Sequence, residues 1–353
     1  MHWLKKRGIW SIDSRIMVKK CFLFCGVALM LLICIGVRTE YADASVTAEI
    51  AMELTTGTVL EENNADVQMP MASTTKIMTA IIIIEDCDLN EVITVPNEAV
   101  GVEGSSIYLK KGEQINIKDL LYGLMMQSGN DSAVALAIHH SGSIKKFAEA
   151  MNNRAKEMGA NATNFKNPSG LPDNEHYTTA RDLCTITRHA MQNETFRQIV
   201  STKSYSGQFR TFSNKNKMLF NYDGANGVKT GYTVKAGRCL VSSAARDGMD
   251  VICVVLNCPD MYERSSKILD DCFDSYRLVK IDENAVFMSD KVLCKVSKMI
   301  NFVSKNTEKL KFNVKSFGEL KNIKRGDLVA KLEIFGQNGL ILSENLYSII
   351  DRK

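Results

Sequence analysis

Three short motifs that lie far apart in the chain constrain its fold most, because they can serve one site only if folding brings them together. They are Ser73–Lys76 (Ser-Thr-Thr-Lys), Ser128–Asn130 (Ser-Gly-Asn) and Lys229–Gly231 (Lys-Thr-Gly), separated by about 50 and about 100 residues. The order and spacing give these short patterns their specificity, since each alone is weak. Looser matches that lack this context occur at Ser143–Lys146, Ser304–Asn306 and Ser343–Asn345.

The first motif contains the residue types needed for nucleophilic catalysis by a hydroxyl. A serine hydroxyl attacks a carbonyl only when a base lies within hydrogen-bond reach. Ser73 and Lys76 are three residues apart, which puts both on one face at the start of a helix, and the following residues 77–84 are apolar enough to bury that helix. Burial favours the neutral amine, so we expect Lys76 to act as the general base.

The second motif lies between two apolar segments, residues 120–125 and 133–137. This pattern predicts a turn between two helices. At such a corner the Ser128 hydroxyl can relay a proton between the base and a leaving amine. The Asn130 amide can both donate to and accept from a substrate peptide bond.

The third motif follows the turn-like residues 223–227 and reads as a β-strand. Neighbouring residues of a strand face opposite sides. The Thr230 hydroxyl can therefore face a substrate carboxylate while the long Lys229 side chain reaches the site from beneath. Gly231 lets a substrate backbone approach the strand edge closely.

The wider sequence around these motifs resembles the low-molecular-mass penicillin-binding D-alanyl-D-alanine carboxypeptidases, the serine peptidases of bacterial cell-wall metabolism. The resemblance covers nearly all of the chain after residue 44, and its specific segments are Met71–Ala80, Ser128–Asp131, Asn167–Leu171 and Lys229–Gly237. It implies a β-lactamase/DD-peptidase-like fold that needs no metal or other cofactor. It also implies peptidoglycan stem peptides as substrates and β-lactam antibiotics as covalent inhibitors.

The resemblance also assigns roles to individual residues. Ser73 is expected to be the nucleophile, Lys76 the base and Ser128 the proton relay, and the backbone N–H groups of Ser73 and Tyr232 are expected to form the oxyanion hole. The residues expected to bind substrate are Asn130, Lys229, Thr230, Gly231, Tyr232 and Arg264. Arg264 corresponds to a family arginine that helps to hold the terminal carboxylate, although a solvated arginine at a helix start is an equally good interpretation.

Residues 1–44 read as a signal sequence. Lysines and arginines precede an uncharged stretch at 21–37, and Ala42–Ala44 offers a small-x-small cleavage site. We therefore expect an exported protein that acts at the cell wall or the outer face of the cytoplasmic membrane. A retained membrane anchor is the alternative.

The charge of the remaining chain argues against nucleic acid as a partner. Residues 45–353 contain 37 basic and 37 acidic side chains, so this part is formally neutral. The balance is uneven, because residues 277–353 contain 15 basic and 9 acidic side chains. This part of the chain either contacts an anionic membrane or wall surface or presents a solvated basic face.

The cysteines and histidines show no metal-ligand spacing. Seven cysteines follow the leader, and an odd number in a chain of this size favours small buried side chains over a disulfide framework. Cys253 and Cys258 remain a candidate pair. His176 is interpreted as a structural or capping residue.

Two domains are expected after the leader. Residues 45–275 mix predicted strands (46–53, 57–62, 232–243, 251–257) with helices such as Lys145–Met158, which indicates an α/β (α+β) catalytic domain with an antiparallel sheet covered by helices. Residues 276–353 alternate apolar and polar positions around turns at 324–327 and 336–339, which indicates a small all-β C-terminal domain.

Two other functions have to be weighed. A β-lactamase would need a loop carboxylate for deacylation, and Glu157–Asn161 fits the string Glu-x-x-x-Asn, but Glu157 falls at the end of a predicted helix. A catalytically silent penicillin-sensing or wall-binding module is disfavoured because Ser73, Lys76 and Lys229 are all present.

Overall fold

The computed structural model describes residues 46–352, so the predicted signal peptide lies outside the described residues. The helices form where apolar periodicity and capping coincide; for example, the Asn116 side chain accepts the backbone N–H of Asp119 at 2.7 Å at the start of α2. The helices are α1 (Lys76–Asp86), α2 (Ile117–Met126), α3 (Asn130–Ser141), α4 (Ile144–Glu157), α5 (Ala180–Gln192), α6 (Glu194–Ser201), α7 (Met218–Asn221) and α8 (Met261–Ser275), with 3₁₀ turns at Ala72–Thr75 and Asn97–Ala99.

The strands form one central sheet, one C-terminal sheet and three two-stranded ribbons. The central sheet has the order β2-β1-β9-β8-β7, and every pairing in it is antiparallel. The strands are β1 (Ala48–Glu53), β2 (Val59–Asn63), β3 (Val92–Thr94), β4 (Gln114–Asn116), β5 (Ser204–Ser206), β6 (Thr211–Ser213), β7 (Ala225–Thr233), β8 (Gly237–Arg246), β9 (Met249–Leu256), β10 (Tyr276–Ile281), β11 (Val286–Ser289), β12 (Val292–Lys295), β13 (Ile300–Lys305), β14 (Lys311–Ser316), β15 (Leu328–Gly336) and β16 (Gly339–Ser348).

The two faces of the central sheet pack against different helices. Ile50, Val241 and Val254 point into the larger core, which also contains the apolar residues of α1, α2, α3 and α5. Ala51 and Leu240, on the opposite face, pack with the apolar residues of α8. The sheet is therefore covered by helices on both faces, and β7 and β2 are its two edge strands.

The chain from Tyr276 onward is almost entirely β-structure. Strands β10 and β13 form a two-stranded ribbon, and the second sheet has the order β11-β12-β16-β15-β14. The expected turn at 336–339 joins β15 to β16, where Gly336 pairs with Gly339. A separate apolar core fills this region.

The predicted fold class is confirmed, with two local corrections. The expected single strand at 232–243 is two strands, because the chain turns between Thr233 and Gly237 to pair β7 with β8. Cys253 and Cys258 are both free, and of the seven free cysteines in the described chain all but Cys87 are buried. The boundary at residue 275 remains a prediction. Within residues 46–352, no helix combines the length and apolarity that crossing a membrane requires.

Candidate active site

Ser73 and Lys76 lie side by side at the start of the buried helix α1. Ser73 belongs to the 3₁₀ turn that leads into the helix, and Lys76 is its first residue. The Lys76 Nζ atom is 2.9 Å from Ser73 Oγ, and the Lys76 side chain is completely buried. Burial, reinforced by the nearby positive charge of Lys229, lowers the pKa of Lys76 well below its usual value, while Asp131 opposes the shift.

The other partners of Lys76 suit a neutral amine. Its Nζ atom donates to Asn130 Oδ1 at 2.7 Å and to the Ser169 carbonyl oxygen at 2.6 Å. A neutral amine has two N–H groups and one lone pair. When those hydrogens go to the two oxygens, the lone pair is left for the Ser73 hydroxyl. This geometry fits a general base beside a nucleophile.

The Ser-Gly-Asn corner connects α2 to α3, as the sequence predicts. Ser128 has a positive φ of 63°, a conformation that serine seldom adopts. A loop fixes the Asn130 side chain from the other side, since its Nδ2 atom donates to the Glu103 carbonyl at 2.6 Å. The Asn130 amide therefore connects Lys76 to this loop.

Asp131 holds the same loop against the corner. Its carboxylate accepts hydrogen bonds from the Ser106 hydroxyl at 2.6 Å and from the backbone N–H groups of Ile107 and Leu109. This role of Asp131 is not apparent from the sequence. An aspartate beside a turn looks like a helix cap, and only the folded chain shows what it binds.

Lys229 is a second buried lysine beneath the site. It lies on β7, is 2% exposed, and donates from Nζ to the Thr230 carbonyl oxygen at 2.8 Å. Burial lowers its pKa to about 7, with a smaller contribution from Lys215. Since Lys229 in turn lowers the pKa of Lys76, the first and third motifs meet at one site.

Gly231 brings β7 against the nucleophile. A Cβ atom at this position would lie 3.1 Å from the Ser73 backbone nitrogen and 3.2 Å from the Met71 carbonyl oxygen. Only glycine leaves this space free. Gly231 therefore allows β7 to approach the turn that contains Ser73.

Hydrogen bonds hold the 3₁₀ turn Ala72–Thr75, which contains Ser73. Ala72 has a positive φ of 48°, and its carbonyl oxygen accepts the Thr75 hydroxyl at 2.9 Å. His176 Nε2 is 2.8 Å from Thr75 Oγ1, while His176 Nδ1 accepts the Lys166 N–H at 3.0 Å. The Thr75 hydroxyl donates its one hydrogen to the Ala72 carbonyl oxygen, so it can only accept a hydrogen bond from His176. Nε2 of His176 must therefore carry the imidazole proton.

His176 therefore has a structural task, as expected from the sequence. Burial lowers the pKa of His176 to about 4, so the ring is neutral near pH 7. Its single N–H orients the Thr75 hydroxyl toward the turn that carries the nucleophile.

Arg264 is not beside the other predicted site residues, and a carboxylate on β1 binds its guanidinium. It lies on α8 and forms a forked ion pair with Glu49, with Nε and Nη2 at 2.8 and 2.7 Å from the two carboxylate oxygens. Glu49 alternates with Ile50 on β1, so it points to the α8 face, and β9 and β8 separate β1 from β7. The arginine therefore holds α8 to β1, and two strands lie between its partner Glu49 and β7.

Arg238 is a cation near the site that the sequence analysis missed. It lies on β8 directly opposite Tyr232, so it shares a face with Tyr232 and Thr230. Its side chain is exposed and forms no ion pair within residues 46–352. The strand register, which brings this arginine beside the third motif, is the signal that could have identified it.

The looser motif matches have other roles. Ser143 is the N-cap of α4 and accepts the Lys146 N–H at 3.2 Å, and Ser304 donates to Glu308. Glu157 ends α4, where its side chain is 70% exposed and lies near Arg154. A carboxylate at this surface position does not serve the Ser73 site.

A family model described as D-alanyl-D-alanine carboxypeptidase matches residues 36–260. The chain is 34% identical to D-alanyl-D-alanine carboxypeptidase DacF of Bacillus subtilis, over 68% of this chain and 65% of that protein. It is 32% identical to DacC of Escherichia coli, over 72% of this chain and 68% of that protein. The chain thus spans about two thirds of the length of these curated relatives.

Solved structures show the same relationship. The crystal structure of the carboxypeptidase DacD from Francisella tularensis matches with a TM-score of 0.70 and 27% identity, over 90% of this chain and 96% of that chain. Penicillin binding protein 5 from Haemophilus influenzae matches with a TM-score of 0.71 and 26% identity, over 90% and 99%. With the motifs converged at one site, these matches establish that the chain belongs to the D-alanyl-D-alanine carboxypeptidase family of serine peptidases.

Proposed function

We propose that this protein is a serine-type D-Ala-D-Ala carboxypeptidase that removes the terminal D-alanine from peptidoglycan stem pentapeptides. The observation that supports this most directly is the buried Lys76, whose Nζ atom lies 2.9 Å from Ser73 Oγ and whose pKa is lowered. The same geometry argues against a silent sensing module, which needs no activated nucleophile.

In the proposed acylation, the neutral Lys76 takes the Ser73 proton as Oγ attacks the carbonyl carbon of the penultimate D-alanine. The N–H groups of Ser73 and Tyr232 stabilise the oxyanion of the tetrahedral intermediate. The proton held by Lys76 passes through the Ser128 hydroxyl to the leaving nitrogen, the C–N bond breaks, and free D-alanine departs. Asn130 aligns the substrate amide while it continues to bind Lys76.

Terminal carboxylate recognition is proposed to use Lys229, Thr230 and Arg238. Thr230 and Arg238 share one face of the β7–β8 pair, which supports joint binding of one anion. An arginine provides the forked donors that match a carboxylate. Arg238 takes the role that the sequence analysis gave to Arg264.

In the proposed deacylation, water gives a proton to Lys76 as its oxygen attacks the carbonyl carbon of the acyl-Ser73 ester. The bond from that carbon to Ser73 Oγ then breaks, Oγ takes the proton from Lys76, and the shortened peptide leaves with a new terminal carboxyl group. In place of a loop carboxylate, the segment Asn167–Leu171 presents the Ser169 carbonyl oxygen to Lys76. We therefore expect β-lactams to acylate Ser73 and to be released slowly, which distinguishes this enzyme from a β-lactamase.

These substrates belong to the cell wall, so we propose that the enzyme acts outside the cytoplasmic membrane. Residues 1–44 would direct export, and residues 276–353 would position the catalytic domain at a wall or membrane surface. The excess of basic side chains in residues 277–353 supports contact with an anionic surface.

The test is digestion of a stem pentapeptide that ends in D-alanyl-D-alanine, followed by mass spectrometry. We expect the loss of one alanine and, with penicillin, a covalent adduct on Ser73. Ser73→Ala should abolish both, whereas the matched control Ser143→Ala, which alters the other Ser-x-x-Lys, should retain both. Adduct formation that survives Ser73→Ala would refute the assignment.

A further inference from the structure

The sheet in the C-terminal β-region exposes an unusual number of large apolar side chains on its outer face. Val286 and Met288 on β11 are 55% and 66% exposed, Leu293 on β12 is 39% exposed, and Leu328 on β15 is 45% exposed. We call these four residues the apolar patch. Exposed apolar residues are common singly, whereas a contiguous group indicates an interaction surface.

The strand register places the four residues on one face, with Lys295 and Tyr347 between Val286 and Leu328. Met288 pairs directly with Leu293, and Val286 pairs with Lys295. Lys295 pairs in turn with Tyr347 of β16, which pairs with Leu328. Directly opposed residues share a face. The alternate positions, such as Val292 and Cys294, are buried in the core of this region.

A cationic cleft borders the apolar patch. It has a volume of about 610 Å³ and is lined by Val286, Lys295, Arg325 and Tyr347, among others. The side chains of Lys295 and Arg325 form no ion pair within residues 46–352. Two carboxylates accept backbone N–H groups beside this cleft: Asp351 from Arg325 at 2.9 Å and Asp327 from Lys324 at 2.8 Å.

The other half of this outer face is polar and contains two more lysines. Lys331 pairs with both Lys315 and Asn345, and Glu333, two residues further along β15, is an acidic side chain on the same face. Two like charges placed directly opposite each other are unfavourable unless an anion lies near them. The face as a whole combines an apolar patch with an unpaired cationic border.

We propose that this outer face docks the enzyme onto the surface of an anionic phospholipid bilayer. The apolar patch would enter the boundary between headgroups and acyl chains, and Lys295 with Arg325 would hold a lipid phosphate in the cleft. Shallow apolar insertion combined with lysine and arginine contacts is the physical basis of peripheral membrane binding. A second copy of this chain fits less well, because two basic faces would repel each other.

The test uses the chain from residue 45 onward and vesicle sedimentation, which does not depend on peptidase activity. Vesicles of phosphatidylcholine with phosphatidylglycerol should bind the protein, and vesicles of phosphatidylcholine alone should not. Raising the salt concentration should weaken binding, because it screens the contribution of the lysines and arginine.

Two double variants test the two parts of the surface. Met288→Ser with Leu293→Ser, and Lys295→Ala with Arg325→Ala, should each reduce vesicle binding about tenfold or more. The control is Phe312→Ser with Leu340→Ser, which removes two apolar residues that are 51% and 55% exposed outside the patch. All three proteins should keep the circular-dichroism spectrum and the thermal unfolding transition of the unsubstituted chain, which shows that the C-terminal sheet is folded.

Three outcomes would overturn the proposal. These are absence of binding to anionic vesicles, equal binding to neutral vesicles, and equal weakening by the control variant. A concentration-dependent dimer that Met288→Ser with Leu293→Ser abolishes, without vesicle binding, would instead assign the patch to a second copy of the chain.

Discussion

Gly170 lies so close to the carbonyl oxygen of Ala72 that no side chain fits between them. A Cβ atom at Gly170 would be 1.9 Å from that oxygen. Gly170 also has a positive φ of 86°. The segment that presents the Ser169 carbonyl to Lys76 is therefore packed directly against the turn that carries Ser73.

We expect Gly170→Ala to displace the nucleophile turn. The free energy of unfolding of this variant should be about 2–3 kcal/mol lower, and penicillin should acylate it far more slowly. The control is Gly142→Ala, because Gly142 has a similar φ of 74° but no atom within 4 Å of the added carbon. Thermal unfolding and acylation rates measure both effects, and equal behaviour of the two variants would show that the contact with Ala72 does not matter.

Substitutions of Arg238 and Arg264 should affect different properties, substrate binding for Arg238 and stability for Arg264. Arg238→Ala should raise KM for the pentapeptide and slow acylation by penicillin, because both ligands have a carboxylate. Arg264→Ala should leave these kinetics unchanged but lower stability by about 1–3 kcal/mol, because it leaves the buried Glu49 without its partner. The opposite pattern would return carboxylate binding to Arg264.

The pH dependence of acylation should be bell-shaped. The rate rises with pH as Lys76 loses its proton, and it falls as Lys229, with a pKa lowered to about 7, loses the charge that attracts a carboxylate. Lys215 contributes to that lowering, so Lys215→Ala should raise the pKa of Lys229 and move the alkaline limb to higher pH.

The control for this shift of the alkaline limb is Lys235→Ala, which removes an exposed lysine that donates a hydrogen bond to Asn174. Penicillin acylation rates across the pH range check both variants. An alkaline limb that does not move in Lys215→Ala would mean that another group controls it.

Deacylation should not depend on Glu157. Glu157→Gln should leave the lifetime of the penicilloyl enzyme and the pentapeptide turnover unchanged, since that side chain is 70% exposed at the end of α4. Mass spectrometry of the adduct over time measures the lifetime. Rapid penicillin hydrolysis that this substitution abolishes would favour the β-lactamase alternative.

Much of this site could be predicted from sequence because its chemistry lies in local motifs. Ser73 and Lys76 are one turn apart, so their contact follows from helix geometry alone. The Ser-Gly-Asn corner likewise follows from the apolar segments on each side of it. The convergence of the motifs came from their order and from the family resemblance.

The contacts that the sequence did not reveal are set by the order and register of the strands. The distance along the chain from Lys229 to Arg264 does not reveal that α8 places Arg264 beside β1, with β9 and β8 between β1 and β7. Arg238 looks like a surface residue in the sequence, and only the register of β7 with β8 places it opposite Tyr232. The hydrogen bonds that Asp131 accepts from the 106–109 loop also link segments whose pairing no local pattern indicates.

The free cysteines have a practical consequence for folding. Burial raises the pKa of Cys184 and Cys239 to about 12, and it raises the pKa of Cys253 as well. Such thiols stay protonated and react slowly with oxidants, because the thiolate is the reactive form. The seven cysteines of residues 46–352 are free, so packing and hydrogen bonds hold this part of the fold without cross-links. A reducing agent should therefore leave its free energy of unfolding unchanged.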